Sequence, residues 1–569
     1  MSNLNKLLIA NRGEIAIRIT RAAQELGLIA VAIYPEDDAQ SLHVRLADEA
    51  ILLEGRGASA YLDIAQIVQL AKDAGCDGVH PGYGFLSENA NFAAAVEAAN
   101  MTFIGPSVAA LDAFGDKAKA RALAQTCDVP VVAGLSEAIS IEQAQAFFAA
   151  HADSGILLKA IAGGGGRGMR IVRSADELVD AFTRCQSEAL AAFGNDGLYA
   201  EQLVASPRHI EVQIIGDGSG AVSHIWEREC SLQRRHQKLV EIAPSPTLDP
   251  AIRDAMCAAA VRLGQEINYA GLGTIEFLLD TNANEFFFIE ANARLQVEHT
   301  VTEEVTGIDL VRAQIEVAGG ASLNDLGLQQ VDVPDPRGFA IQLRINMETM
   351  TAGGEVMPAG GRLSKFEVPT GPGLRTDTYG YAGYTTNPNY DSLLAKVICY
   401  SPSKNYADAI KRAQRALKDF AIEGVSCNID FLAALIASQD FANNAVTTRY
   451  LDEHMASLVA ASTESVDEDT SSSLAGAQVN LNDPLAVLEH GKSGLPGMGG
   501  GTQILDLVNA DLPSGTEAII APMQGTVVSF AIEPGDEVYV GKLVLIMEAM
   551  KMEHEVRADI SGVVQSLGV

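Results

Sequence analysis

The run "GTIEFLLDTNANEFFFIEANARLQVEH" (Gly273 to His299) sets two acids, Glu276 and Glu290, in apolar β-like stretches on either side of a polar "TNAN" loop. If Asp280 faces Phe286 across this hairpin, Glu276 faces Glu290 with Cβ atoms about 5 Å apart, and Asn292 follows on the same face. Two carboxylates that close repel unless a cation lies between them, so the pattern calls for a divalent metal. Magnesium suits hard oxygen ligands and bridges carboxylates to nucleotide phosphates, with manganese as a substitute. A slipped register would instead separate the acids and leave them solvated. A second stretch, "ILLKAIAGGGGRGMRIVRS" (Ile156 to Ser174), places Gly163, Gly164, Gly165, Gly166 and Gly168 between two β-like runs. Glycines there permit positive φ and let backbone N–H groups approach an anion. The loop joins strand to strand and lacks GxxxxGK(S/T), so it is neither a Walker loop nor a dinucleotide turn. Lys159 ends the incoming strand, where its ammonium could meet phosphate. Near the far end, "LIMEAMKMEHEV" (Leu545 to Val556) holds Lys551 between two methionines where two alternating β runs would turn. A surface lysine on a turn is one reading. The other rests on a repeat: "APMQGTVVSFAI" (Ala521 to Ile532) is echoed by "ADISGVVQSLGV" (Ala558 to Val569), with Gly525 and Gly562 in register and Lys551 between the copies.

These residues need a scaffold, and the chain is long enough for one. Its 569 residues imply roughly three to five domains, and 48% apolar with 20% charged residues is ordinary for sizeable cores. A net charge of −33 argues against a nucleic-acid partner, and any anionic substrate must meet a locally basic pocket. Seven scattered cysteines without a CxxC pair suggest neither a disulfide framework nor a zinc site, and fit a reducing cytoplasm. No stretch has signal-peptide or membrane-spanning character, so no membrane role is expected. The opening "KLLIANRGEIAIRITRAAQELGLIAVAIY" alternates strand, helix, strand, and such α/β units fill residues 1–110. It lacks GxGxxG, which makes a dinucleotide site a poor reading. Mixed segments over 111–320 carry most of the candidate chemistry, and a third block runs over 321–455. Acidic, serine-rich and glycine-rich composition makes 456–516 a linker, with a short ordered piece at "DPLAVLEH"; an all-β unit fills 517–569. After Ile532 the first repeat copy continues "EPGDEVYVGKLVLIME" whereas the second stops at Val569, so this unit is expected to be truncated.

"EAMKM" resembles the attachment site of biotinyl carrier domains, in which a ligase couples biotin to the lysine; lipoyl domains share the fold but usually lack the paired methionines. The glycine-rich strand-loop-strand, lysines and paired carboxylates resemble the ATP-grasp fold. "HPGYGFLSEN", "PRHIEVQ", "RECSLQRRHQKLVEIAPSP", "EANARLQVEH" and "AIQLRIN" resemble biotin carboxylase from about Lys6 to Met455. The resemblance implies an α/β and α+β architecture: a pre-ATP-grasp α/β domain, an ATP-grasp domain and a C-terminal mixed domain, then a flexible linker and an incomplete all-β biotinyl domain.

It also implies roles. Lys117 and Lys159 would contact ATP phosphates, with Gly163 to Gly168 closing over them; Glu201 would hold adenine, with His209, Gln233 and His236 near the ribose and reacting site. Glu276 and Glu290 would bind magnesium, with Asn292 nearby. Lys238, Arg294, Gln296 and the Val297 backbone would hold bicarbonate, Glu298 would be its base, Arg344 would face the ureido oxygen of biotin, and Tyr83 would border that pocket. The implied activity is ATP- and magnesium-dependent carboxylation, by bicarbonate, of biotin carried on Lys551. A linker of about forty flexible residues spans on the order of 35 Å, enough to swing a tethered ring between sites. Implied partners are the carrier in cis, a carboxyltransferase domain or subunit, a biotin ligase, and a second copy of the chain. Thr300 stands where the family usually has proline, and "RINMETMTAGGEVMPAGGRLSKF" departs from the usual "RINAEDP". These departures and the repeat resemble fused acyl-CoA carboxylases, with acetyl-CoA or propionyl-CoA as acceptor and urea or a longer acyl-CoA as alternatives. The linker is too short for the docking domain of separate propionyl-CoA or methylcrotonyl-CoA carboxylase α subunits, and no transferase separates carboxylase from carrier as in pyruvate carboxylase. A carrier and assembly module with an inactive ATP site, or another ATP-grasp ligase, are the competing readings.

Overall fold

The structure, a computed structural model, describes residues 4–135, 138–161, 168–193, 195–204, 206–235, 237–469, 516, 518–519, 521, 526–549 and 552–567. Strands Lys6–Ile9, Ile29–Pro35, Glu49–Leu53, Gly78–His80 and Thr102–Phe103 form a parallel sheet in the spatial order third, second, first, fourth, fifth. Leu7, Leu8 and Ile9 have no exposed surface, as a strand covered on both faces requires. The strand order reverses between the first and fourth strands, where a crevice opens at their C-terminal ends. Asn11 straps this crevice: its Nδ2 donates to the carbonyls of Pro81 (2.7 Å) and Tyr83 (2.8 Å). Gly82 lies at φ +65°, and a Cβ there would stand 2.8 Å from Asn11 Nδ2, so the strap and a side chain at 82 are incompatible.

An eight-stranded antiparallel sheet follows, in the order Glu285–Asn292, Ala270–Asp280, Pro207–Asp217, Val222–Arg234, Gln237–Ala243, Phe339–Asn346, Leu393–Ser401, Leu374–Thr378. It runs straight through the boundary predicted near residue 320: Val240 pairs with Leu343 and Ile242 with Ile341. One core joins those strands to the helices Tyr406–Asp419, Ile429–Ala437 and Tyr450–Asp469. The last helix corrects the linker predicted to begin at Ala456. Leu451, Met455 and Leu458 repeat at helical spacing and are buried, and the serine and acidic residues that follow hid this stripe in the composition. Residues 470–515, with "DPLAVLEH", lie outside the described residues. A smaller antiparallel sheet, ordered Gly134–Leu135, Leu198–Gln202, Ile156–Ala160, Met169–Val172, packs on helices Ile141–Ala150 and Ala175–Phe193.

The C-terminal segment is all-β. Thr526–Phe530, Leu543–Ala549 and Met552–Arg557 form one sheet, Glu537–Val538 pairs with Gly562–Val563, and Ile532, Val538, Val544 and Ala558 form its core. The hairpin pairs as far as Ala549 opposite Met552. Met550 and Lys551, the two residues between them, lie outside the described residues. Among the described residues no helix is long and apolar enough to cross a membrane.

Candidate active site

The eight-stranded sheet puts a row of charges on one face. Across neighbouring strands Glu290 pairs with Glu276, Glu276 with Glu211, and Glu211 with Arg228. Residues directly opposite in a sheet share a face, so these side chains stand side by side. The Glu276–Glu290 pairing is the predicted one, but the premise behind it is not. Asp280 pairs with Glu285 rather than Phe286, and Phe277 with Phe288; a β-bulge at Ile289 then adds one residue and brings Glu290 opposite Glu276. Ile289 is 36% exposed.

Lys238 anchors the row. Its ammonium donates to Glu211 (2.6 Å), Glu276 (2.9 Å) and Glu298 (2.6 Å), which uses all three of its protons. Burial works against both partners' charges, yet the Lys238 ammonium and His209 hold Glu276 well below the usual carboxylate range, while the three acids hold Lys238 well above an ordinary lysine. Glu290 goes the other way: burial and the neighbouring Glu276 charge raise it. Burial and a second carboxylate that both oppose the ionisation of Glu290 mark a local excess of negative potential that a divalent cation would remove, so the pair fits magnesium. Asn292 fits a supporting place better than a ligand's: its Nδ2 donates to Glu276 (3.0 Å), and its Oδ1, the end a metal would need, accepts from Arg294 (2.9 Å).

Glu298 caps the start of helix His299–Thr306 and is clamped by Lys238 on one side and by Arg344 (3.1 Å) on the other. Burial would raise its pKa, but these two cations and Arg228 keep it far below the usual range, so it stays ionised. Arg344 also donates to Glu241 (2.5 Å), and Glu241 accepts from Gln342 (3.0 Å). Gln296 donates to Glu276 (3.0 Å), and Arg294 reaches back to Glu88 (3.0 Å). Gln233 donates to the carbonyl of Cys230 (2.8 Å) and lies 2.7 Å from His209 Nδ1, which leaves His209 Nε2 3.0 Å from Glu276. Lys159 pairs with Glu201 at 2.5 Å, so a predicted phosphate contact and a predicted adenine contact meet directly.

A cavity of about 1320 Å³ connects these groups. Its walls include Tyr83, Lys117, Lys159, Glu201, His209, Gln233, Lys238, Glu276, Glu290, Asn292, Arg294, Gln296, Val297, Glu298 and Arg344. Gly168 instead closes the hairpin, its carbonyl accepting from Ala160 N (2.8 Å). Gly163, Gly164, Gly165, Gly166, His236 and Lys551 lie outside the described residues. Leu157, Ile171, Leu203 and Leu278 give one lobe of the cavity an apolar lining suited to a flat heterocycle.

Three participants were not read from the sequence. Arg228 has no exposed surface and donates to Glu211, Gln213 (2.8 Å), Thr302 (3.0 Å), Thr274 (3.2 Å) and Gln296 (3.1 Å). Glu211 is its acidic counterpart within the sheet, and Glu241 is that of Arg344. The signal was available in "HIEVQII" and "KLVEIA", where a charge interrupts strands otherwise apolar enough to be buried.

Four family models match in succession: the biotin carboxylase N-terminal domain (residues 3–111), the carbamoyl-phosphate synthase L chain ATP-binding domain (116–326), the biotin carboxylase C-terminal domain (342–453) and the biotin-requiring enzyme domain (517–569). Pyruvate carboxylase of Pichia angusta is 48% identical over 459 residues, 80% of this chain, and the human mitochondrial enzyme 47% over 456. The chain spans 38% of the length of these curated relatives. The biotin carboxylase domain of a single-chain bacterial carboxylase superposes with a TM-score of 0.73 at 46% identity, covering 81% of this chain and 99% of that one. That of Hydrogenobacter thermophilus 2-oxoglutarate carboxylase, solved with MgADP and bicarbonate, gives 0.75 at 41%, covering 80% and 98%. A single-chain, multi-domain long-chain acyl-CoA carboxylase gives 0.71 at 38% identity and covers 98% of this chain and 48% of its own. The chain therefore belongs to the biotin carboxylase family, ligases that form a carbon–nitrogen bond with ATP, magnesium and biotin, and it carries a biotin-requiring domain in the same polypeptide.

Proposed function

We propose that the cavity carboxylates biotin with bicarbonate through the residues that line it. The observation that carries this reading is Glu298, a buried carboxylate fixed between Lys238 and Arg344 on the wall that also holds the Glu276–Glu290 pair. Lys117 and Lys159 take the phosphates of ATP, the Gly163–Gly168 loop covers them, and Glu201, His209, Gln233 and His236 take the nucleoside side. Glu276 and Glu290, with Asn292 in support, would hold magnesium, which would supply charge neutralisation for the transferred phosphoryl group. Lys238, Arg294, Gln296 and the Val297 backbone hold bicarbonate while Glu298 removes its proton so that it attacks the terminal phosphoryl group; the carboxyphosphate formed breaks into carbon dioxide and phosphate, phosphate takes the biotin N–H proton, and Arg344, still paired with Glu241, faces the ureido oxygen that gains charge, with Tyr83 beside it. Bicarbonate-dependent ATP cleavage with free biotin tests this: Glu298→Gln should lower kcat by about 100-fold or more with magnesium affinity retained. A folded, magnesium-supplied wild-type chain that cleaves no ATP would instead favour an assembly module.

For the acceptor we infer an acyl-CoA, with acetyl-CoA or propionyl-CoA first, reached by the carrier at Lys551 swinging to a carboxyltransferase on the same or another chain. The support is order along the chain: the long-chain acyl-CoA carboxylase matches through the carrier, whereas the pyruvate carboxylases match only about 455 residues. Higher identity to pyruvate carboxylases over the first four-fifths of the chain favours a 2-oxo acid as the second reading. Labelled bicarbonate chased into acyl-CoA or into pyruvate by the natural full-length protein decides between them. The same reading places the chain in the cytoplasm as a homo-oligomer biotinylated by a ligase; intact mass and size-exclusion measurements check the last two.

A further inference from the structure

On the face that carries Arg344, the register sets a second like-charged pair. Arg344 lies directly opposite Lys396, as Glu276 lies opposite Glu290. Opposed cations repel as opposed acids do, so each must be drawn off by its own carboxylates. Arg344 goes to Glu241 and Glu298. Lys396, which has no exposed surface, stands 3.0 Å from Glu14 and 3.9 Å from Asp377, its partner on the edge strand.

The third direction of the Lys396 ammonium is the informative one. It donates to the carbonyl of Val297 at 3.1 Å. Val297 lies in the non-helical turn between strand Glu285–Asn292 and helix His299–Thr306, where no ladder fixes the backbone. A carbonyl shares its peptide plane with the next residue's nitrogen, so holding the Val297 oxygen also holds the plane that carries Glu298. On the other side, Glu14 accepts from the hydroxyl of Tyr83, in the turn after strand Gly78–His80. A buried line thus runs from Tyr83 through Glu14 and Lys396 to Val297, joining the switch-point crevice of the parallel sheet to the turn before Glu298.

We propose that Lys396 is a positioning residue for bicarbonate, setting the Gln296–Glu298 turn from behind, and that Glu14 ties this turn to Tyr83 on the biotin side. The assignment rests on the roles proposed above for Val297 and Tyr83. Neither Lys396 nor Glu14 takes part in proton or group transfer. A buried ammonium is used because a carbonyl held by a charged donor is held more firmly than one held by a neutral group. Glu14 and Asp377 balance that ammonium inside the fold.

The test uses the whole chain with free biotin. Lys396→Met should raise the KM for bicarbonate about tenfold, the worth of one charge-assisted hydrogen bond, with the KM for ATP unchanged. The double variant Glu14→Gln/Lys396→Met removes the uncompensated acid, should regain thermal stability, and should keep the raised bicarbonate KM. Glu14→Gln alone should raise the KM for biotin more than that for bicarbonate. An unchanged bicarbonate KM in either Lys396 variant, or ATP and bicarbonate KM rising together, overturns the proposal, as does failure of both variants to fold. Broadening of the 13C-bicarbonate signal by protein with MgADP separates this from the functional reading. Broadening that Lys396→Met abolishes, in a wild-type chain without turnover, would remove the function and leave the positioning role standing.

Discussion

Glu276 and Glu290 face each other because one residue, Ile289, bulges out of the strand between them. Without it Glu276 would oppose Ile289, and Glu290 would turn to the other face. The repulsion this creates in the metal-free protein is measurable. Glu290→Gln should raise the metal-free thermal midpoint by a few degrees, on the order of 1 kcal/mol, while abolishing the rise that magnesium produces in wild type. Because Glu290 is raised by burial and by Glu276, its ionisation costs stability above the ordinary carboxylate pKa; the gain from Glu290→Gln should shrink as pH falls towards about 4. Scanning fluorimetry with chelator across pH checks both.

Arg228 holds Glu211 and Gln296 together beneath Lys238. Removing one partner of a buried ion pair strands the other's charge, so Arg228→Met should destabilise by about 3–5 kcal/mol in chemical denaturation. Glu211→Gln/Arg228→Met should recover most of that stability but not kcat, since Lys238 and Gln296 lose their fixed partners.

His43 and His80 are fully buried and neutral, with burial lowering them to about 4 and about 3. The unfolded chain binds their protons near pH 6.5 and the folded chain does not. Stability from these groups is therefore whole above about pH 6.5 and lost as pH falls below it, by up to about 2.7 kcal/mol per pH unit for the pair. His80→Asn, whose oxygen can replace Nδ1 as acceptor for the Gly82 amide, should flatten the slope between about pH 6.5 and 5 by about one proton. Denaturant midpoints across that range give the reading.

Thr300 donates its hydroxyl to Gln342, which donates to Glu241, which holds Arg344. Thr300→Val should release Gln342 and raise the KM for biotin several-fold, roughly one neutral hydrogen bond, leaving the KM for ATP unmoved. Steady-state kinetics with free biotin tests it.

Strand parity in the sequence placed Lys159 on a β-hairpin, because period-two patterns survive without tertiary context, but it paired Glu276 with Glu290 from a turn register one residue off. It missed the bulge, since inserting Ile289 changes no composition and leaves the apolar run intact. Arg228, Glu211 and Lys396 were passed over because a charge inside an apolar strand marks a buried ion but does not name its partners, which only the strands beside it supply. Helix Tyr450–Asp469 was cut short at 455 because a short apolar stripe is diluted by the serine-rich residues that follow it. Tyr83, Lys238, Glu298 and Arg344, named by motif resemblance, lie on the cavity wall, and the links behind that wall needed the register.

The unbroken hydrogen-bonding of strand Gln237–Ala243 to strand Phe339–Asn346 bears on how such chains can be recombined. A crossover near residue 320 would make Val240 and Ile242 pair with a strand from another parent, and would draw Lys238 and Arg344, the cations that clamp Glu298, from different parents. Heredity should therefore hand on the stretch from Lys6 to the helix ending at Asp469 whole, and exchange carriers and transferases only beyond it.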